Sequence, residues 1–184
     1  TESAQRGQTT ISFGEIVVSS QVIGFQRRRG GRVIGEESLD LPRRDLHTKA
    51  LWWTLDESAC TRAGIDMTDI PGAAHAAEHA AIGLLPLYAT CDRWDVGGLS
   101  TAMHPQTGGV TIFVYDGYPG GAGFARRGFE IWPTWLTATA ALIDACRCRE
   151  GCPSCIQSPK CGNGNSPLNK RAAVVLLGEL LRQA

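Results

Sequence analysis

Apolar positions in the first third of the chain fall into short β-branched runs separated by glycine. Ile11–Phe13 and Ile16–Ile23 are two such runs, with Gly14 and Gly24 as punctuation, and they predict strands. Arg27, Arg28, Arg29, Gly30 and Gly31 then predict a turn that leads back into Val33 and Ile34, giving a hairpin. Leu39–Leu41 continues the pattern as far as Pro42, and Leu46–Leu55, with Trp52 and Trp53, is read as a further strand. Residues 56–70 read as a linker or short helix.

The pattern then changes period. Pro71–Tyr88 is rich in alanine and reads as a helix, with Asp69 as cap, Pro71 in the first turn and Pro86 as an end or kink. Val110–Tyr115 is a buried strand by length and composition. A glycine-rich turn, Asp116–Gly123, leads into helical residues up to Cys146, with a break predicted at Trp132 and Pro133. A last helix is predicted to start at Ser166 and Pro167, with Leu168, Ala172, Val175, Leu176 and Leu180 as its apolar face. The fold class is α+β: antiparallel strands first, then a mostly helical half. Residues 1–184 read as one domain, mainly β over 1–55 and mainly α over 71–184, with a metal loop at 146–165.

Composition narrows the function. The chain has 184 residues, 43% hydrophobic and 20% charged, and its 18 lysines and arginines balance 18 acidic residues. No global field therefore draws it to nucleic acid or anionic lipid, and any such contact has to come from local patches. Ala80–Ala89, the longest apolar stretch, is too short to span a bilayer. The start at Thr1 has no basic segment followed by an apolar one, so nothing suggests secretion, and it looks like the start of a fragment of a longer protein.

The chemistry lies in the cysteines. Of seven, five stand at 146, 148, 152, 155 and 161. A disulfide framework spreads its cysteines to staple distant loops, so this clustering points to metal in a reducing, cytoplasmic setting. Cys152 and Cys155 flank Pro153 and Ser154 in a tight loop that aims two sulfurs at one ion, and Gly151 and Gly162 let the chain turn around it. The expected ligands are Cys148, Cys152, Cys155 and Cys161, with Cys146 as the substitute for Cys148. Four thiolates leave no position for water or substrate, so the expectation is one structural Zn²⁺. An iron–sulfur cluster is the alternative that four cysteines also allow.

Other features invite sharper readings. His75, Glu78 and His79 match H-x-x-E-H, the inverted zincin pattern, although no third ligand is evident in the sequence. Packed or hydrogen-bonded helix histidines are the plainer reading. The turn Asp116–Gly123 joins a strand to a helix, a geometry that can hold phosphate, yet it lacks the G-K-[ST] ending and the G-x-G-x-x-G spacing. A tight structural turn is favoured. Arg147, Arg149, Lys160, Lys170 and Arg171 surround the cysteines and are candidates for DNA contact, because a metal loop would present them rigidly. Trp52, Trp53 and Trp94 could stack on bases, although core packing is the safer reading for most tryptophans.

Three blocks together resemble one family. Cys146–Asn165 followed by Pro167–Lys170, Glu78–Ala80 leading to Leu85–Leu87, and Tyr115–Gly123 are similar to the carboxy-terminal zinc-binding domain of MrfA-type (Hrq- and SftH-like) superfamily-two DNA helicases. The resemblance implies that the parent is an ATP-dependent 3′-to-5′ DNA translocase in DNA repair. It also implies that the cysteines are zinc ligands and that the partners are the motor domains of the same polypeptide and DNA, in single-stranded form. No Walker lysine motif and no D-E-x-H box occur here, so the implied role is accessory and not itself enzymatic. A zinc-stabilised protein–protein interaction module is the alternative, and a zinc metallopeptidase using His75, Glu78 and His79 is the second.

Overall fold

The computed structural model describes residues 1–6 and 9–182. Its centre is a five-stranded antiparallel sheet in the order β1 (Glu2–Arg6), β2 (Thr9–Ser20), β5 (Arg44–Leu55), β7 (Val110–Asp116) and β6 (Val96–Thr101). Strands β3 (Gly24–Arg29) and β4 (Arg32–Ser38) form a separate hairpin closed by Gly30 and Gly31, both at positive φ. That conformation is open to glycine and strained for other residues, which is why the Gly-Gly pair makes the turn. The predicted hairpin is therefore present, but it pairs Gly24–Arg29 with β4, and the preceding run belongs to the main sheet as far as Ser20.

The helices are α1 (Glu57–Arg62), α2 (Ile70–Leu84), α3 (Pro86–Ala89), α4 (Phe124–Ala145) and α5 (Lys170–Arg182). Helix α2 packs on β6 and β7, α4 packs on β5, and α2, α4 and α5 pack on one another. The register brings one face of the sheet together: Ile11 opposes Trp53, Phe13 opposes Leu51, and Leu51 and Trp53 oppose Val114 and Ile112. All six are buried. Trp53 meets Trp135 of α4 edge-on at 5.9 Å, and the Trp135 indole donates to the Ala81 carbonyl of α2 at 3.0 Å. One aromatic pair thus joins the sheet to two helices.

Small residues set the spacing of the helix layer. Alanines and Gly72 line α2, and a Cβ at Gly72 would lie 3.1 Å from the Asn169 backbone nitrogen. That close approach lets the Asn169 amide donate to the Gly72 carbonyl at 3.0 Å, fixing the start of α5 against α2.

Several expectations need correction. Strand β6 was not foreseen, so two of the five main strands lie in the half read as mainly helical. Helix α4 runs unbroken through Pro133, because buried Trp132, Trp135 and Leu136 hold both sides of the proline in the core. The last helix begins at Lys170 and not at Ser166 and Pro167: the Asn169 side chain accepts from the Ala172 amide at 3.0 Å and supplies the cap. On that helix Val175 is exposed, and Ala173 and Leu177 join the buried face instead. Asp69 precedes α2 but makes no side-chain capping bond.

Candidate metal centre

Helix α4 ends where the metal chemistry begins. Cys146 follows its last residue in extended conformation, with φ −71° and ψ 125°, and turns the chain away from the helix axis. Gly151, at φ 115°, packs against the Ile156 side chain, and the Cys152 carbonyl then accepts from the amides of Cys155, Ile156 and Gln157 at 3.0–3.2 Å. This tight turn places the sulfurs of Cys146, Cys148, Cys152 and Cys155 within 4.8 Å of one another. Neighbouring sulfurs lie 3.6 Å (146 to 148), 3.6 Å (146 to 152), 3.5 Å (148 to 155) and 3.8 Å (152 to 155) apart.

Those separations suit a tetrahedral metal site. A tetrahedron with Zn–S bonds of about 2.3 Å has edges of about 3.8 Å. A disulfide would bring one pair to about 2.0 Å and leave the other two sulfurs unused, and all four are free. The cluster fits one structural zinc, with every position taken by sulfur. The thiols differ in their surroundings: the Ser154 amide lowers Cys152 to about 7, whereas burial raises Cys155 to about 12.

Tertiary contacts anchor this knuckle. Ile156 is fully buried, and its carbonyl accepts from His79 Nδ1 of α2 at 2.8 Å. The Lys170 ammonium, at the start of α5, donates to the Cys146 and Cys148 carbonyls at 2.5 and 2.8 Å. The knuckle is thereby tied to α2, α4 and α5 together.

The converging set differs from the expected one. Cys146 joins Cys148, Cys152 and Cys155, so it stands beside Cys148 and does not replace it. Cys161 is elsewhere: its sulfur lies 3.4 Å from His75 Nε2 and accepts from the Asn165 amide at 3.2 Å. The loop from 158 to 165 is stitched by Asn165, whose side chain bonds the Ser158 amide and carbonyl at 2.7 and 3.1 Å, and this stitch draws Cys161 towards α2. One donor atom each of His75, His79 and Cys161 thus lies within 4.8 Å of the others, and Glu78 lines the adjoining cavity. Burial raises the Glu78 carboxyl to about 7.

The basic candidates divide into two groups. Arg147, Arg149 and Arg171 are exposed. Lys160 instead donates to the Arg93 and Val96 carbonyls at 3.0 and 2.6 Å and sits 5.2 Å from the Trp94 ring, while Lys170 holds the knuckle. Trp53 is buried and Trp52 half-buried, so of the three tryptophans suggested for stacking only Trp94 is exposed, at 65%, with Lys160 over its ring.

The glycine-rich turn has a structural explanation. Asp116, fully buried, accepts from the amides of Ala122, Gly123 and Ala125 at 2.6, 2.8 and 2.7 Å. Its carboxylate occupies the α4 amino terminus where a phosphate would otherwise sit. Among the described residues no helix is long and apolar enough to cross a membrane.

Sheet, helix layer and cysteine knuckle together define an α+β zinc-binding domain. The family model of the MrfA Zn-binding domain matches residues 77–156, from the middle of α2 through the last cysteine of the knuckle. An uncharacterized protein of Methanocaldococcus jannaschii is 36% identical over 110 residues, covering 58% of this chain and 98% of that protein. The chain belongs to the MrfA Zn-binding domain family. The uncharacterized ATP-dependent helicase YprA of Bacillus subtilis is 32% identical over 160 residues, covering 84% of this chain. This chain spans 21% of YprA's length. The crystal structure of the DUF1998 helicase MrfA bound to DNA superposes with a TM-score of 0.74 at 29% identity, over 98% of this chain and 23% of that one.

Proposed function

We propose that this chain is the zinc-braced accessory domain of an ATP-dependent 3′-to-5′ DNA helicase acting in DNA repair. In this role it performs no chemical step of its own. It braces motor domains of the same polypeptide and helps to guide single-stranded DNA. The observation that carries the proposal is the match of nearly the whole fold, knuckle included, to part of a DNA-bound helicase. Cys146, Cys148, Cys152 and Cys155 hold the zinc. The ion supplies a rigid, closed crosslink, and the chain's own residues do the rest. Lys170 and His79 fix the knuckle to the helix layer, so Arg147 and Arg149 ride on a stiff support with Arg171 on α5. Lys160 and Lys170 serve the chain's own carbonyls and leave phosphate contact to these three arginines.

Fluorescence anisotropy with labelled single-stranded DNA tests this reading. Weak binding that falls steeply with salt is expected, because it rests on a few phosphate contacts. Reversing Arg147, Arg149 and Arg171 to Glu should lower affinity at least about tenfold, since each lost contact removes counterion release. No binding at low salt would favour an interaction module without a nucleic-acid role.

A further inference from the structure

His75 and His79 stand one turn apart on α2, with ring centroids 4.3 Å apart, and Cys161 reaches them from the loop before α5. One donor atom from each of the three lies within 4.8 Å of the others. Both rings are held by their far nitrogens: His75 Nδ1 bonds the Pro167 carbonyl and His79 Nδ1 the Ile156 carbonyl, each at 2.8 Å. A carbonyl can only accept, so Nδ1 carries the proton in both rings and Nε2 offers a lone pair. Imidazoles that bind metal are oriented in this way, by a carbonyl on the second nitrogen. The Asn165 amide donates to the Cys161 sulfur at 3.2 Å and so fixes its position facing the two rings. A thiol proton would serve one Nε2 lone pair, whereas one cation serves both and the sulfur as well.

We propose that His75, His79 and Cys161 bind a second divalent cation of the zinc class, separate from the ion of the four-cysteine knuckle. Two imidazoles and a thiolate select zinc or cobalt over magnesium or calcium. The fourth position faces a cavity of about 430 Å³ that Glu78, Ser100 and Tyr115 also line. Three protein ligands with an open fourth position make a site that can take an exchangeable ligand, unlike the closed cysteine site. Glu78 borders the cavity without being one of the converging donors. The proposal is independent of the helicase reading, since it rests on donor geometry alone.

The test is metal counting on the full 184-residue chain, titrated with zinc and then with cobalt. Two equivalents are expected, the second removed first by a chelator. Asparagine places its amide nitrogen where histidine has Nδ1, so His75→Asn with His79→Asn keeps the bonds to Pro167 and Ile156 and deletes both Nε2 ligands. That double variant and Cys161→Ala should each weaken the second equivalent by more than about a hundredfold, beyond the roughly 10–100-fold caused by losing an outer hydrogen bond. Both should keep the first equivalent. In the wild type the second equivalent of cobalt should add a sulfur charge-transfer band that Cys161→Ala lacks, and zinc should protect Cys161 from alkylation. One equivalent at saturating zinc in the wild type overturns the proposal. A second equivalent unchanged in both variants overturns it equally.

Discussion

The sheet with its helices and the segment from Cys146 to Asn165 are held together by different physics. The first buries Trp53, Trp135, Leu51, Ile112, Val114 and the alanines of α2 in a continuous apolar core. The second has no helix or strand of its own, and among its residues only Cys155, Ile156 and Ser158 are buried. Its order comes from sulfurs around a common point and from a few hydrogen bonds to α2 and α5. Apolar burial is spread over many residues and fails gradually, whereas a metal crosslink is one interaction on which the whole segment depends.

Removing the ion should separate the two regions most sharply. Structural zinc sites contribute about 10–16 kcal/mol apparent, comparable to the stability of a whole domain. Complete chelation, or Cys152→Ser, should therefore unfold residues 146–165 and loosen the first turn of α5, with rapid amide exchange there and continued protection in β5 and β7. Equal loss of protection in the sheet would show that the regions are one cooperative unit.

The converse perturbation is Trp53→Ala. Losing a fully buried indole should cost about 3–5 kcal/mol in denaturant unfolding while the zinc content of the folded fraction stays unchanged. A smaller effect is expected at Asp116→Ala, about 2–3 kcal/mol, because three amides at the start of α4 lose a charged acceptor. Thermal melts check it, and the amides of Ala122, Gly123 and Ala125 should exchange faster in that variant. Gly72→Val, which pushes α2 away from Asn169, should cost about 1–2 kcal/mol by overpacking and increase exchange at the start of α5. That last variant links the regions, since α5 carries Lys170.

Much of this was legible in the chain itself, because it was written in local pattern. The runs at 11–23, 46–55 and 110–115 were read as strands from their β-branched and aromatic content, and β2, β5 and β7 cover them except for 21–23. The knuckle was evident from five cysteines in close sequence. What was not legible depends on distant partners. Strand β6 carries Gly97 and Gly98, which remove the apolar signature of a strand. They are glycines because the Tyr115 ring lies over one and the Glu78 and Ile82 side chains over the other. The presence of Cys146 in the converging set, and the absence of Cys161 from it, have the same origin. Cys-x-Cys spacing suggested that Cys146 and Cys148 were alternatives for one position, whereas the chain leaving α4 turns both sulfurs inward. Cys161 is drawn away by His75 and Asn165, which no spacing rule near the cysteines reveals.

The assignment of the zinc to Cys146, Cys148, Cys152 and Cys155 is tested most directly by zinc-edge X-ray absorption. The informative sample is the Cys161→Ala chain loaded with one equivalent. Four sulfur neighbours at about 2.3 Å, with no nitrogen or oxygen shell, are expected. Three sulfurs with a light-atom neighbour in that variant, against four in the wild type, would put Cys161 among the ligands and contradict the assignment.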